Sequence, residues 1–504
     1  MPAAEIVEPS IATSTAPAPA PATVSGVAVG NTEAWALERS RIDASASGPV
    51  LTFFFTALAW LLVATVFNFI GSYQLQNPEF LANWSFLTNG RVIPAYNVCL
   101  KYGWASLVGM GVAIWLMARL CRATIKLPGV LVFGALFWNF GLILAVLGIL
   151  LGNNTGLEMM ELPRKAVWPM FIGYFFIGIS GAVLYKRRKT TTVFISVWYL
   201  LGAFFWFPWL FFTAHVLLGQ TALQGVMQNV VSAWYGNGLM NYWFTAIGLA
   251  AAYYLIPKVI NRPIHSYNLA SVGFWTWAIF GGMTAMTHLS GGPVPAWLVT
   301  LSISASIMMI IPLVTVGKNL FRTMEGSFHM VYHSPTIRFT FFGAVVFCIA
   351  TAFGILSSLR SVDHVIHFTL FSAAYHDLVL YCFFSMIMFG AIYYITPRLV
   401  GCEWLSSSLI KMHFLGSAYG GGMAVAVMLF AGIASGMRAT DPEALFSQIL
   451  VNSAAYLPGR TLALILVTLG HTAFGLHFLL MLLRIGQPAG QATLFAPLDE
   501  EIKH

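Results

Sequence analysis

The sequence predicts an all-α integral membrane protein, a bundle of twelve transmembrane helices. Of its 504 residues, 58% are hydrophobic and only 8% are charged, and the mean hydropathy is +0.79. Soluble domains carry about 25% charged residues. Twelve apolar runs are long enough to cross a bilayer, for which about 20 residues suffice. Basic residues also concentrate in alternate connections between these runs, which is typical of a polytopic membrane protein.

The twelve predicted spans follow one another with short connections. They lie at 50–72, 99–120, 129–151, 168–185, 192–218, 236–257, 268–290, 296–318, 338–356, 366–396, 410–436 and 459–483. With the N-terminus inside, the outer connections hold few basic residues, namely Arg91, Lys101, Arg164, Lys165, Arg360, Arg438 and Arg460. The inner segments hold more than twice as many. This asymmetry predicts that both termini are cytoplasmic.

The two ends of the chain have a different composition from the apolar middle. Residues 1–49 are rich in Ala, Pro, Ser and Thr and contain no apolar run, so we expect a disordered cytoplasmic tail. The twelve-helix domain is expected over 50–485, and a second cytoplasmic tail over 486–504. The net charge of +8 reflects the loop topology and gives no reason to expect nucleic acid as a partner. The five scattered cysteines form no CxxC pair, so no thiolate metal site is expected.

Several stretches resemble subunit I of the haem-copper oxidase superfamily, in particular its cbb3-type cytochrome c oxidase branch. They occur in the family's order and on matching helices. They are RVIPAYN (91–97), the stretch WYGNGLMNYWFTAIGLAAAYYLIPKVINRPIHSYNLASVGFW (234–275), THLSGGPVPAW (287–297), FGAIYYITPRLVGCEW (389–404) and LVNSAAYLPGRTLALI (450–465). The resemblance implies a twelve-helix bundle, respiratory electron transport, and partners such as membrane-anchored c-type cytochromes.

The family's chemistry implies six histidines, of which three bind two haems and three bind a copper ion. Imidazole nitrogen suits both iron and copper. Matching the motifs places the haem ligand positions at Tyr96, Tyr375 and Asp377, and the copper ligand positions at Asn237, Thr287 and His288. Only His288 retains the family residue. The family tyrosine bonded to a copper ligand falls at Gly281, and a ninth-helix glutamate falls near Phe353.

These substitutions predict that the redox centres are absent, although haem b remains an open alternative. Tyrosine ligates iron in catalase-type sites, so Tyr96 and Tyr375 do not exclude haem by themselves. Copper is not expected, because an asparagine amide is a poor copper ligand. His376, between the two tenth-helix positions, is interpreted as a buried histidine that points away from both haem faces, unless an upstream bulge turns it toward one.

Asp377 is costly at membrane depth, and such a residue needs a partner or a water-filled cavity. We expect it to hydrogen-bond Tyr96 across the former low-spin haem position. A competing hypothesis is a proton or ion pathway through Asp377, His376 and His367, the last of which matches a family histidine just outside the metal site. The function that the sequence favours is a structural or regulatory subunit of a respiratory complex. The alternatives are an active oxidase or nitric-oxide reductase-like enzyme with unusual ligands, and a proton or ion conductor.

Overall fold

The computed structural model describes residues 26–219 and 223–485, and these form the predicted bundle of twelve helices long and apolar enough to cross a membrane. We label these helices α1 to α12. Their bounds are Gly26–Gln76, Asn89–Leu120, Pro128–Leu150, Arg164–Lys186, Ile195–Gly219, Val226–Val259, Tyr267–Leu289, Ala296–Met324, Pro335–Ser357, Leu370–Val400, Ser407–Ala439 and Phe446–Leu482. Short helices over Ser85–Leu87, Met330–His333 and Arg360–Ile366 lie in the connections. We call the end of the bundle that carries residues 151–163 the outer end, following the charge asymmetry.

Helix α1 begins at Gly26, inside the stretch 1–49 that composition predicts to be disordered. The disordered interpretation is therefore wrong for 26–49, while 1–25 and the predicted tail 486–504 lie outside the described residues. Alanine is a strong helix former, and the same alanine content that suggests low complexity also favours this helix. Ion pairs then hold its inner end against the bundle, where Asp43 contacts Arg119 at 3.3 Å and Glu38 contacts Lys189 at 2.9 Å.

Three predicted boundaries differ from the structure in ways that affect the candidate site. Helices α2 and α6 begin ten residues before their predicted starts, at Asn89 and Val226, so Tyr96 is helical. The tenth span does not run unbroken from 366. Phe368 adopts a left-handed conformation with φ of 60°, and α10 begins only at Leu370. His367 therefore lies outside the membrane helix, in the turn between Arg360–Ile366 and α10.

Helices α2, α6 and α10 form the centre of the bundle. In their most apolar windows 89%, 83% and 100% of the residues are buried, whereas no other helix exceeds 56%. The remaining nine helices surround these three. The three helices that carry Tyr96, Asn237 and Asp377 are therefore the three that are shielded from lipid.

Each central helix contains a π-helical segment just after the residue of interest. The segments are Cys99–Ala105 in α2, Leu239–Thr245 in α6 and Leu378–Ser385 in α10. Segments of this kind occur frequently at functional sites. Here they are linked to one another, because Trp104 Nε1 donates to Ser385 Oγ at 2.8 Å and Trp243 Nε1 donates to Ser106 Oγ at 3.2 Å.

Candidate functional site

Tyr96 and Asp377 meet between α2 and α10, as the sequence predicts. The Tyr96 hydroxyl donates to Asp377 Oδ1 at 3.2 Å, and Tyr96 is only 8% exposed. Arg460 is buried in α12 and is not within ion-pair distance of this carboxylate. The Arg460 guanidinium donates to Asn68 Oδ1 at 3.1 Å. Asp377 thus has a hydrogen-bond donor on α2, which provides the partner that a carboxylate at membrane depth requires.

A small cavity of about 40 Å³, lined mostly by apolar side chains, adjoins this pair, between α1, α2, α10, α11 and α12. Since one water needs about 10–15 Å³ of such space, the cavity has room for a few waters. On its far side, Tyr381 Oη lies 2.8 Å from His471 Nε2, and His471 Nδ1 lies 2.7 Å from Thr65 Oγ1. Both ring nitrogens of His471 are therefore engaged. The role of His471 could not be predicted from the sequence, because no motif around it indicates a functional residue.

Asn237 on α6 is fixed by three hydrogen bonds. Its Nδ2 donates to the Gly281 carbonyl at 2.9 Å, and its Oδ1 accepts from Thr284 Oγ1 at 2.8 Å and from Asn241 Nδ2 at 3.0 Å. Thr287, at the neighbouring ligand position, donates to the Thr284 carbonyl at 2.8 Å. These polar groups bond to one another at the junction of α6 and α7.

His288 and His376 face each other across the space between α7 and α10. Their ring centroids are 6.2 Å apart, and His376 Nδ1 lies 3.6 Å from Glu158 Oε1 of the outer loop. His288 is exposed, so this region is more open than the low-spin position. The ring of His376 thus lies beside a copper ligand position of the family, and the interpretation that it points away from both haem faces stays a prediction. The bulge in α10 lies after His376, not before it.

Tyr375 and His367 lie apart from these pairs. The hydroxyl of Tyr375 reaches α9, where a methyl group on Gly354 would come within 2.5 Å of it. His367 Nδ1 lies 3.0 Å from Asp363 Oδ1 at the outer surface. The structure thus joins Tyr96 with Asp377 and brings His376 beside His288, but it does not place His367 in the same group.

Lys101 is a buried charged residue that the sequence analysis does not predict. It was assigned to an outer loop, but it lies in the π-helical segment of α2 with its side chain 4% exposed. Its ammonium group lies 2.8 Å from both carboxylate oxygens of Glu161, and Asn97 Nδ2 donates to Glu161 Oε1 at 3.1 Å. The apolar run on both sides of Lys101 was the available signal, because a lysine within such a run needs a buried partner.

The chain belongs to the family of Cytochrome C and Quinol oxidase polypeptide I, whose family model matches residues 48–473. It is thus an integral membrane protein built on a twelve-helix oxidase subunit fold. The fold comparison agrees, since a cryo-EM structure of a heme-copper terminal oxidase dimer aligns with a TM-score of 0.69 over 91% of this chain and 89% of that chain. At 14% sequence identity, that structure shows the fold alone.

Two curated relatives support the resemblance to the cbb3-type branch of the family. A cytochrome c oxidase subunit 1 homolog of Agrobacterium tumefaciens (strain T37) is 27% identical over 391 residues, which cover 74% of this chain and 71% of the relative. The Cbb3-type cytochrome c oxidase subunit CcoN1 of Stutzerimonas stutzeri is 24% identical over 418 residues, 80% of this chain and 87% of the relative. The cbb3-like resemblance read from the motifs is confirmed.

The residues at the low-spin position do not fit a haem with two axial ligands. Donors on opposite sides of one metal ion lie about 4 Å apart, twice a metal–nitrogen bond of about 2 Å, with the porphyrin plane between them. The oxygens of Tyr96 and Asp377 are 3.2 Å apart and share a hydrogen bond. The adjoining cavity of about 40 Å³ accommodates waters but not a macrocycle.

At the copper position, the side chains of Asn237 and Thr287 form hydrogen bonds with other groups of the protein. Both the nitrogen and the oxygen of the Asn237 side-chain amide already have hydrogen-bond partners. The amide oxygen is also a hard, neutral ligand, which suits copper poorly. Among the residues that the structure describes, no group of three or more histidine, cysteine, aspartate or glutamate side chains is arranged to hold a metal ion. His288 and His376 provide two imidazoles whose rings are 6.2 Å apart.

Tyr96→Phe is expected to destabilise the protein by about 1–3 kcal/mol, because it removes the hydroxyl that satisfies the half-buried Asp377 carboxylate. The measurement is the temperature at which half of the detergent-solubilised protein remains monodisperse. Tyr419→Phe is the matched control, since Tyr419 is 66% exposed. Equal melting of the two variants would show that the Tyr96–Asp377 bond contributes nothing to stability.

Proposed function

We propose that this chain is a subunit of a membrane respiratory complex that has lost the redox centres of its family and serves a structural or regulatory role. The observation that carries the proposal is the hydrogen bond between Tyr96 and Asp377, 3.2 Å long, at the position of two family haem ligands. In this arrangement two side chains replace the ligand–metal–ligand link between α2 and α10.

Other side-chain bonds support the same role by joining the central helices directly. Tyr102 Oη on α2 lies 2.7 Å from Tyr235 Oη on α6, and Trp104 joins α2 to Ser385 on α10 at 2.8 Å. A buried polar group that finds its partner within the protein rigidifies the packing around it. A centre closed in this way retains the shape of the outer surface, which is what a subunit needs in order to assemble with others.

The partners in this proposal are other subunits of an oxidase-type complex, among them membrane-anchored c-type cytochromes, together with the surrounding lipid. The location in this proposal is the bacterial inner membrane, with both termini cytoplasmic. The relatives support this, since their names describe them as subunits of cytochrome c oxidases in bacteria. The low charge density of the membrane helices supports the lipid contact.

The test is a reduced-minus-oxidised visible spectrum of the purified complex, combined with iron and copper analysis of the isolated chain. We expect no haem b bands from the chain and iron and copper far below one per polypeptide. The CcoN1 relative, expressed in the same host, controls for haem supply. Stoichiometric haem b in this chain would overturn the loss of redox centres, while absence of any co-purifying subunit would overturn the role in a complex.

An active oxidase with unusual ligands is the second candidate, and one observation favours it. His376 and His288 face each other in an open region of the centre, with their rings 6.2 Å apart. If this candidate is correct, the spectrum shows haem bands, and His376→Ala or His288→Ala changes them. Bands that are absent or unchanged in both variants would rule it out.

A further inference from the structure

A cleft of about 590 Å³ opens at the outer end of the bundle. Its size falls within the range of small-molecule sites, which is about 300–1,000 Å³. Its walls come from four pieces: the connection after α7, the start of α8, the helix Arg360–Ile366 and the turn that leads into α10. All four pieces lie where membrane helices end, so the cleft is at the level of lipid head groups.

The cleft contains the permanently charged guanidinium of Arg360. Arg360 is exposed and donates to Thr300 Oγ1 at 2.8 Å, and His364 is exposed beside it. The carboxylate of Asp363 is paired with His367 at 3.0 Å instead. Within 26–219 and 223–485, Arg360 has no carboxylate within ion-pair distance. An arginine with free N–H groups in a recess is suited to bidentate recognition of a phosphate.

The lining also has an apolar part. It consists of Val294, Ala296 and Val299, and Phe368 stands at its edge with 94% of its surface exposed. Trp297, on the first turn of α8, is 66% exposed at the same level. Aromatic side chains at this depth are typical of the boundary between head groups and acyl chains.

We infer that this cleft binds the head group of an anionic glycerophospholipid, with Arg360 on the phosphate and the wall of Val294, Val299 and Phe368 on the start of the acyl chains. The positive-inside rule makes basic residues scarce at outer ends. Lys101 there pairs with Glu161 and Arg438 with Asp441, whereas Arg360 faces an open cleft. The inference is independent of whether the chain binds haem.

The test is native mass spectrometry of the full-length protein released from mixed micelles of phosphatidylglycerol and phosphatidylcholine. We expect selective retention of phosphatidylglycerol, weakened about ten-fold (about 1.4 kcal/mol) by Arg360→Gln, since a charge-assisted hydrogen bond is lost. Arg164→Gln, at the outer start of α4, is the matched control and should retain the lipid as the unsubstituted protein does.

Two further arms separate the alternatives. Phe368→Gly removes the apolar edge at a position that is already exposed, so folding is preserved and retention should fall. Inorganic phosphate is added in competition. If it displaces the lipid completely, or if both arginine variants behave alike, the lipid site is wrong. Equal retention of phosphatidylcholine by the unsubstituted protein would overturn the preference for an anionic head group.

Discussion

Lys101→Met is expected to destabilise the protein by about 3–5 kcal/mol, because it leaves the Glu161 carboxylate buried without its counter-charge. The two side chains are 4% and 7% exposed and lie 2.8 Å apart. Asn97 provides the remaining hydrogen bond to Glu161, and it cannot neutralise the charge. The measurement is the thermal midpoint in detergent, followed by the accessibility of the loop 151–163 to protease.

The double variant Lys101→Met with Glu161→Leu provides the internal comparison. Replacing both members of a buried ion pair with apolar residues is often neutral, so we expect it to recover most of the loss. Lys165→Met is the exposed control from the same side of the bundle and should leave the midpoint unchanged. A Lys101→Met variant as stable as the Lys165→Met control would show that the pair does not hold the loop in place.

Gly436→Ala is expected to destabilise the protein by about 3 kcal/mol, the upper end of the range typical of overpacking. A methyl group at this position on α11 would overlap the carbonyl oxygen of Val365, which is backbone and cannot rotate away. The helix Arg360–Ile366 would have to separate from α11, and the turn that positions His367 would move with it. The thermal midpoint and hydrogen exchange of residues 360–370 measure this effect.

Gly422→Ala on the same helix is the matched control. A methyl group there has nothing within 4 Å, so the change should be neutral or slightly stabilising, by about 0.5–1 kcal/mol. If Gly436→Ala and Gly422→Ala have the same midpoint, the close approach of α11 to Val365 is not a constraint on the fold.

The number of helices and the family could be predicted from the sequence because both depend on strong signals. The thickness of the bilayer sets the length of the apolar runs, and basic residues concentrate in every second connection between them. The contact between Tyr96 and Asp377 could be predicted for a different reason. The matched motifs fix the register of α2 and α10, and that register carries over even though a π-helical segment lies between Asp377 and Phe389.

The features that could not be predicted depend on tertiary contacts. The helix over 26–49 is held by charges that are distant in sequence, such as Arg119 and Lys189. Lys101 was assigned to a loop because its partner, Glu161, is 60 residues away and lies in a connection that folds inward. The position of His376 beside His288 depends on how α7 and α10 pack, which helical periodicity does not specify.

The π-helical segments of α2, α6 and α10 also have a consequence for how such a chain tolerates a change of length. A π turn holds one residue more than an α turn, so the loss of a single codon within Leu378–Ser385 restores a regular helix and leaves both flanks in place. The same loss elsewhere in α10 turns everything beyond it by about 100°. These three segments are therefore the places in the central helices where the fold can accommodate a one-residue deletion and keep the contact between Tyr96 and Asp377.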